Sequence, residues 1–295
     1  MEGRQRGLRC PDRHALDHAV RVCIYVDRHP RSAPIGAALL AGAKRMGWDA
    51  FVTRDWHETP RADLLAGYGW CNRAMFEAYR AAGRHFIYVD LGYWHRKQYR
   101  SDYGGLHKLV VDGRHATAYF RRNRPRDRLA GAPEIKPWRQ NGAHIVLAGL
   151  SAKGAASSGL KPLVWEHDII SRLKRVTGRS IVYRPKPSWT SAQPIPGTIF
   201  SPPEQPLSEV LADAWALLTL HSNAALDALA AGVPVRAQEG LASVMSMASV
   251  ECVEFPPCNG DREQLFADIG YCHWTRHEIA DGTALALLRD DGLLQ

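Results

Sequence analysis

Three apolar runs in the second half of this chain each break off into a short polar cluster. After "AHIVLAGL" come Ser151 and Lys153, "RSIVY" ends in Arg184, Lys186 and Ser188, and "WALLTL" stops at His221, Ser222 and Asn223. Hydroxyls, an amide and cations at such ends suit the holding of an anion. If each run is a strand and each cluster opens a helix, free N–H groups and the positive end of the helix dipole join the cations. Arg184 and Lys186 then supply the countercharge of a diphosphate, while Ser222 or Asn223 caps the helix and bonds a phosphate oxygen. Asp227, one turn further on, accepts from a ribose hydroxyl or from a neighbouring Arg. The plain alternatives are that Ser222 is a cap and no more, and that Arg184 and Lys186 are surface residues between prolines. The stretch "AGLSAKGAASSG" has neither the GxxxxGK[ST] spacing of a P-loop nor the GxGxxG of a dinucleotide site.

Such clusters work only if a sheet brings them to one edge, since open parallel sheets bind ligands beyond the carboxyl ends of their strands. The first half supplies an alternation of strands (20–26, 49–53, 62–70, 84–94) and helices (33–48, 71–83), the second helix closing on Gly83. Residues 107–142 interrupt it with one or two strands and then a basic, Pro-containing segment. A second alternation follows: a strand opening into a Gly/Ser-rich loop at 143–154, a strand ending in a basic tip at 179–189, strands at 215–220 and 233–237, helices at 162–178, 207–214 and 222–232, and two helices within 261–290. The pattern predicts an α/β protein of two Rossmann-like domains facing across a cleft, residues 1–140 and 141–295, with the C-terminal helices packing back on the first.

Composition sets the frame. The 295 residues are 45% hydrophobic and 23% charged, which suits a globular chain with a sizeable core. Up to Asn141 there are 26 Lys+Arg against 14 Asp+Glu, a balance of +12; from Gly142 onward the counts are 12 and 16, a balance of −4. The basic first half points to an anionic partner or to an Arg-rich solvated surface. No apolar run reaches the roughly 20 residues of a membrane span and the N-terminus has no secretory pattern, so a cytoplasmic location is expected. The six cysteines have no CxxC spacing, so neither a disulfide framework nor a metal site is expected, and buried thiols are.

The "YRPKPS" strand end followed by "DAWALLTLHSNAALDALAAGVPV" resembles the C-terminal donor domain of GT-B-fold glycosyltransferases, of the capsule-polysaccharide or Kdo-transferase type. The resemblance covers residues 143–240. It implies transfer of a sugar from a nucleotide-diphosphate sugar, with no metal cofactor, and a donor site at Arg184, Lys186, Ser222 and Asn223. Lys186 stands where those transferases often carry His, which leaves the donor open. No DxD motif is present, and Asp290–Asp291 reads as a solvated tail.

An inverting transferase needs a base for the acceptor hydroxyl. Asp90, at the end of "FIYVD", is the first choice; Asp27 and His29 follow, with Asp55, His57 and His95 also at strand ends. The aromatic–basic run at Tyr93, Trp94, His95, Arg96 and Lys97, with Arg121, Arg122 and Arg124, reads as an acceptor surface. Rings interleaved with cations track phosphates and stack on bases or sugars, so duplex DNA carrying 5-hydroxymethylpyrimidine is the favoured acceptor. A compact, leaderless DNA glycosyltransferase also suits a bacteriophage gene. A bacterial surface glycan is the alternative acceptor. A non-catalytic nucleic-acid-binding protein on the same scaffold and a sugar-nucleotide epimerase are the readings outside the transferase class.

Overall fold

The structure, a computed structural model, describes residues 20–55, 61–94, 105–119 and 123–294. Contacts divide the chain into two compact units, Met1–Ile87 with Arg276–Gln295, and Tyr88–Thr275. The first unit opens with β1 (Arg21–Tyr25), α1 (Ser32–Arg45), β2 (Asp49–Thr53), β3 (Leu64–Tyr68) and α2 (Arg73–Ala81), and it holds the start of β4 (His85–Leu91). β1 lies between β2 and β3, parallel to both. α1 buries Ile35, Ala38, Leu39, Gly42 and Ala43, the stripe that a 3.6-residue period lays on one face. Gly83 ends the turn after α2 at φ +67°, as the C-cap reading requires.

The second unit continues β4 into β5 (Leu106–Val111), and an irregular segment leads to β6 (His144–Ala148), α3 (Ala152–Ser157) and α4 (Val164–Val176). There follow β7 (Ser180–Arg184), β8 (Ile199–Phe200), α5 (Leu207–Leu211), β9 (Ala214–Thr219), α6 (Ala224–Ala230) and β10 (Val235–Ala237). Five of these strands form a sheet of order β10-β9-β6-β7-β8, parallel throughout, so their carboxyl ends share one edge. Ile145, Leu147, Ile181, Tyr183, Ala216 and Leu218 carry the core of this sheet against Trp165, Ile169 and Leu173 of α4. Each fully buried aliphatic side chain there contributes about 1.5–3 kcal/mol.

The C-terminal stretch departs from the two-helix expectation. α7 (Arg262–Gly270) gives way to a strand, β11 (His273–Thr275), before α8 (Arg276–Ala280) and α9 (Thr283–Asp290). β11 pairs antiparallel with β5, Trp274 opposite His107. Three residues cannot announce a strand by period; the pairing edge of β5 and the burial of Trp274 impose it. α8 and α9 pack on α1, so the chain's last helices do return to its first unit. An α/β architecture of two largely parallel sheets is therefore established. Of the cysteines whose side chains are described, Cys23 and Cys272 are buried, whereas Cys252 is half-buried and Cys258 exposed, against the expectation of buried thiols. No described helix is long and apolar enough to cross a membrane.

Candidate functional site

The carboxyl edge of the second sheet is tied together by two buried polar residues. Thr219, the last residue of β9, donates its hydroxyl to the Ala148 carbonyl of β6 at 2.9 Å and accepts the Ser222 N–H at 3.2 Å. Glu166 of α4 is fully buried, and its Oε1 accepts the Leu150 N–H at 2.7 Å. Burial raises its pKa, partly opposed by that hydrogen bond. The chain enters α3 over this carboxyl, and a Cβ at Gly149 would lie 2.6 Å from the Tyr183 ring and 3.0 Å from Glu166. Glu166→Ala orphans the Leu150 N–H and is expected to cost about 2 kcal/mol in urea unfolding, while Glu166→Gln keeps the acceptor and most of the stability.

The expected donor residues meet this edge in different ways. Ser151 is buried and caps α3, accepting the Gly154 N–H at 3.0 Å; Lys153 is exposed. Arg184 is 7% exposed and donates to Ser201 Oγ at 3.0 Å and to the Pro202 carbonyl at 3.4 Å. It clamps the turn after β8, so its guanidinium is engaged inside the protein. Burial lowers its pKa. Lys186 and Ser188 are exposed at the tip of β7. His221, Ser222 and Asn223 are half-buried between β9 and α6. Asp227 instead lines a separate cavity of about 690 Å³, with Lys136, Arg139 and Leu207.

The start of α6 corrects the helix-terminus reading. Its N–H groups are largely satisfied within the turn: Ala224 N–H donates to Ser222 Oγ at 3.2 Å and Ala225 N–H to the Ser222 carbonyl at 3.1 Å. Asn223 makes no side-chain cap. Ser222 Oγ thus closes the turn into α6. Anion chemistry at this edge therefore falls to side chains.

Those side chains include residues that the sequence reading did not single out. Lys108 of β5, and Arg114 and His115 of the loop after it, lie beside His221 within the second unit. The rings of His115 and His221 are 6.0 Å apart. Burial first, then Lys108, Arg114 and His221, hold His115 down to about 2. Burial first, then Arg114, Lys186 and Lys108, hold His221 down to about 4. Both imidazoles are thus neutral at pH 7, in a setting rich in cations. A lone His in a loop has no periodic signature, so no feature of the sequence brought His115 to His221.

Asp90 lies at the end of β4, half-buried. Its Oδ2 accepts a short hydrogen bond from the Tyr88 hydroxyl and its Oδ1 accepts the Leu91 N–H at 2.8 Å. Burial and the adjacent carboxylate hold the Tyr88 phenol well above its ordinary pKa, which Arg114 partly opposes. The Lys108 ammonium stands 4.8 Å from the Tyr88 ring centre. Arg114 and Lys108 thus influence both the Tyr88–Asp90 pair and the two histidines.

In the first unit, Asp27 and His29 line a cavity of about 880 Å³ with Arg28, Arg54 and Asp55. Asp27 Oδ1 accepts the His29 N–H at 2.9 Å and its Oδ2 accepts from Asn72 at 3.3 Å. His29 Nδ1 accepts the Arg31 N–H at 3.2 Å.

Two rings of the expected acceptor surface are placed inside the protein. Tyr93 is 3% and Trp94 8% exposed, packed against His273 and Phe266. Their rings belong to the core and offer no face to a base or sugar. Arg124 stacks on Tyr271 at 5.0 Å. His57, His95, Arg96, Lys97, Arg121 and Arg122 lie outside the described residues.

No protein-family model matches this sequence, and no curated protein does. Solved structures do. A Thermosulfurimonas dismutans KpsC, beta Kdo 2,4 transferase, aligns over 85% of this chain and 90% of its own, with a TM-score of 0.50 at 9% identity. A Thermosulfurimonas dismutans KpsC, beta Kdo 2,7 transferase, aligns over 90% and 99%, with a TM-score of 0.47 at 13% identity. At such identities the likeness speaks for the fold alone. The resemblance read from "YRPKPS" and the run to Val235 is borne out at that level: the chain has a GT-B-like glycosyltransferase fold.

Proposed function

We propose that the protein is a glycosyltransferase that moves a sugar from a nucleotide-activated donor to a hydroxyl acceptor. The observation that carries this reading is the carboxyl edge of the parallel second sheet in a GT-B-like fold. There Lys186 follows β7 and His221 follows β9, on either side of β6, whose end is tied down by Thr219 and Glu166. Negative charge builds on the donor's phosphate as the glycosidic bond breaks, and fixed cations and hydrogen-bond donors lower that barrier without a metal. In this reading Lys186 supplies charge and His221 a ring nitrogen.

Among the described candidate bases Asp90 fits best, because Arg114 and Lys108 link its surroundings to His221. The Tyr88 hydroxyl orients the carboxylate, leaving the remaining lone pairs for the acceptor O–H. Tyr93 and Trp94, two of the rings expected to stack on a modified DNA base, are buried, so we favour a carbohydrate hydroxyl as acceptor.

The test is incubation with a panel of nucleotide-activated sugars, alone, with bacterial glycan fragments and with hydroxymethylcytosine DNA, reading nucleotide release and acceptor mass. One donor is expected to be consumed, faster with glycan. Lys186→Ala combined with His221→Ala is expected to weaken that donor's binding about 10- to 100-fold, the worth of a charge-assisted contact. If no donor is consumed under any condition, the transferase reading fails and a binding role replaces it. A mass shift on the DNA instead restores the nucleic-acid acceptor.

A further inference from the structure

Two buried histidine nitrogens beside Lys186 are left without partners. The Nε2 atoms of His115 and His221 are both buried, and neither has a hydrogen-bond partner among the described residues. The His115 ring lies over the backbone of Gly240, where φ is +85° and a Cβ would stand 3.6 Å from its Cε1 and Nδ1. The charged groups facing the pair are Lys108, Arg114 and Lys186. Arg114 is anchored by a 3.3 Å bond from Nη2 to Ser157 Oγ at the end of α3, and its carbonyl accepts from Lys108 Nζ at 3.3 Å. Lys108 itself is 7% exposed. Cations gathered around buried, unpartnered ring nitrogens are unfavourable to one another on their own and favourable once an anion with several acceptor oxygens enters.

We propose that Arg114 and His115, carried by the loop after β5, complete with His221 and Lys186 a subsite for a phosphate group. Its two sources are the donor's phosphate and a phosphorylated acceptor. Assigning it to the donor rests on the transferase reading, whereas anion binding itself does not. An anion here offsets the burial and the cationic surroundings that keep the imidazoles neutral. Binding therefore draws protons onto them, His221 before His115.

Inorganic pyrophosphate titrated into the full chain at low salt is the direct probe. Saturable binding is expected, weakened at least about 10-fold by Arg114→Ala and by His115→Asn. Arg175→Ala, an exposed charge at the end of α4, should leave it unchanged. Affinities within twofold of the unaltered protein in both variants overturn the subsite. Calorimetry of the unaltered chain at pH 6, in two buffers of different ionisation enthalpy, needs no variant. Net proton uptake supports the histidines' part and its absence overturns it. A nucleoside diphosphate that competes with pyrophosphate assigns the phosphate to the donor; a sugar phosphate that competes while the nucleotide binds alongside assigns it to the acceptor. Pyrophosphate affinity and donor turnover both unaffected by Arg114→Ala and His115→Asn sink the subsite and keep the transferase. Pyrophosphate binding lost in both variants, with no donor ever consumed, does the reverse.

Discussion

Gly232→Ala is expected to destabilise the protein by about 3 kcal/mol, combining left-handed backbone strain with overpacking. Gly232 closes α6 at φ +77°, and a Cβ there would stand 2.0 Å from the Pro137 carbonyl oxygen. That carbonyl cannot step aside cheaply. Its segment is held to the end of α6 by Lys136 N–H on the Ala230 carbonyl at 2.7 Å and by Arg139 N–H on the Gly232 carbonyl at 2.9 Å. Relief of the clash therefore breaks backbone hydrogen bonds as well. Urea unfolding of the variant measures the effect, and a loss below about 1 kcal/mol, no more than the left-handed backbone alone costs an alanine, would falsify the close packing. Because α6 follows His221 directly, a surviving variant should also bind donor less tightly.

Acid should weaken the fold through the two histidines. Each has a native pKa depressed below the unfolded value of about 6.5, to about 2 for His115 and about 4 for His221, mainly by burial. Below pH 6.5 the unfolded chain takes up protons that the native state refuses, so stability rises with pH across this window and falls as pH drops. The loss from His221 levels off near pH 4, while that from His115 continues toward pH 2. By pH 4.5 the two together remove about 4 kcal/mol, after allowance for partial solvent screening. Unfolding measured at pH 7.0 and pH 4.5 should show this difference, and His115→Asn with His221→Asn should recover most of it. Equal pH dependence in the double variant would mean that carboxylates alone govern acid unfolding. Bound pyrophosphate should also blunt the acid loss, because it raises the native pKa values toward the unfolded one.

The sequence by itself determined the alternation of elements. β2 falls on "DAFVT", and the run from Asp213 to Val235 folds as β9, α6 and β10, because apolar runs and a 3.6-residue period report what each segment must bury. The three polar strand ends were legible for the same reason, since polar groups at the tips of buried strands break an otherwise apolar pattern. Tertiary structure decided which of those groups face outward. Arg184 turned inward to Ser201, and α6 closed its own N–H groups through Ser222. Tyr93 and Trp94 went into the core because an aromatic–basic run does not say which side of its backbone is solvated. Thr219 and Glu166 hold the edge from within an apolar strand and an amphipathic helix, where one polar residue carries no periodic signal. His115 stands 106 positions before His221 in the chain. Local sequence encodes local burial, whereas the meeting of those two imidazoles with Arg114 and Lys186 depends on how distant segments pack, and only the folded unit fixes that.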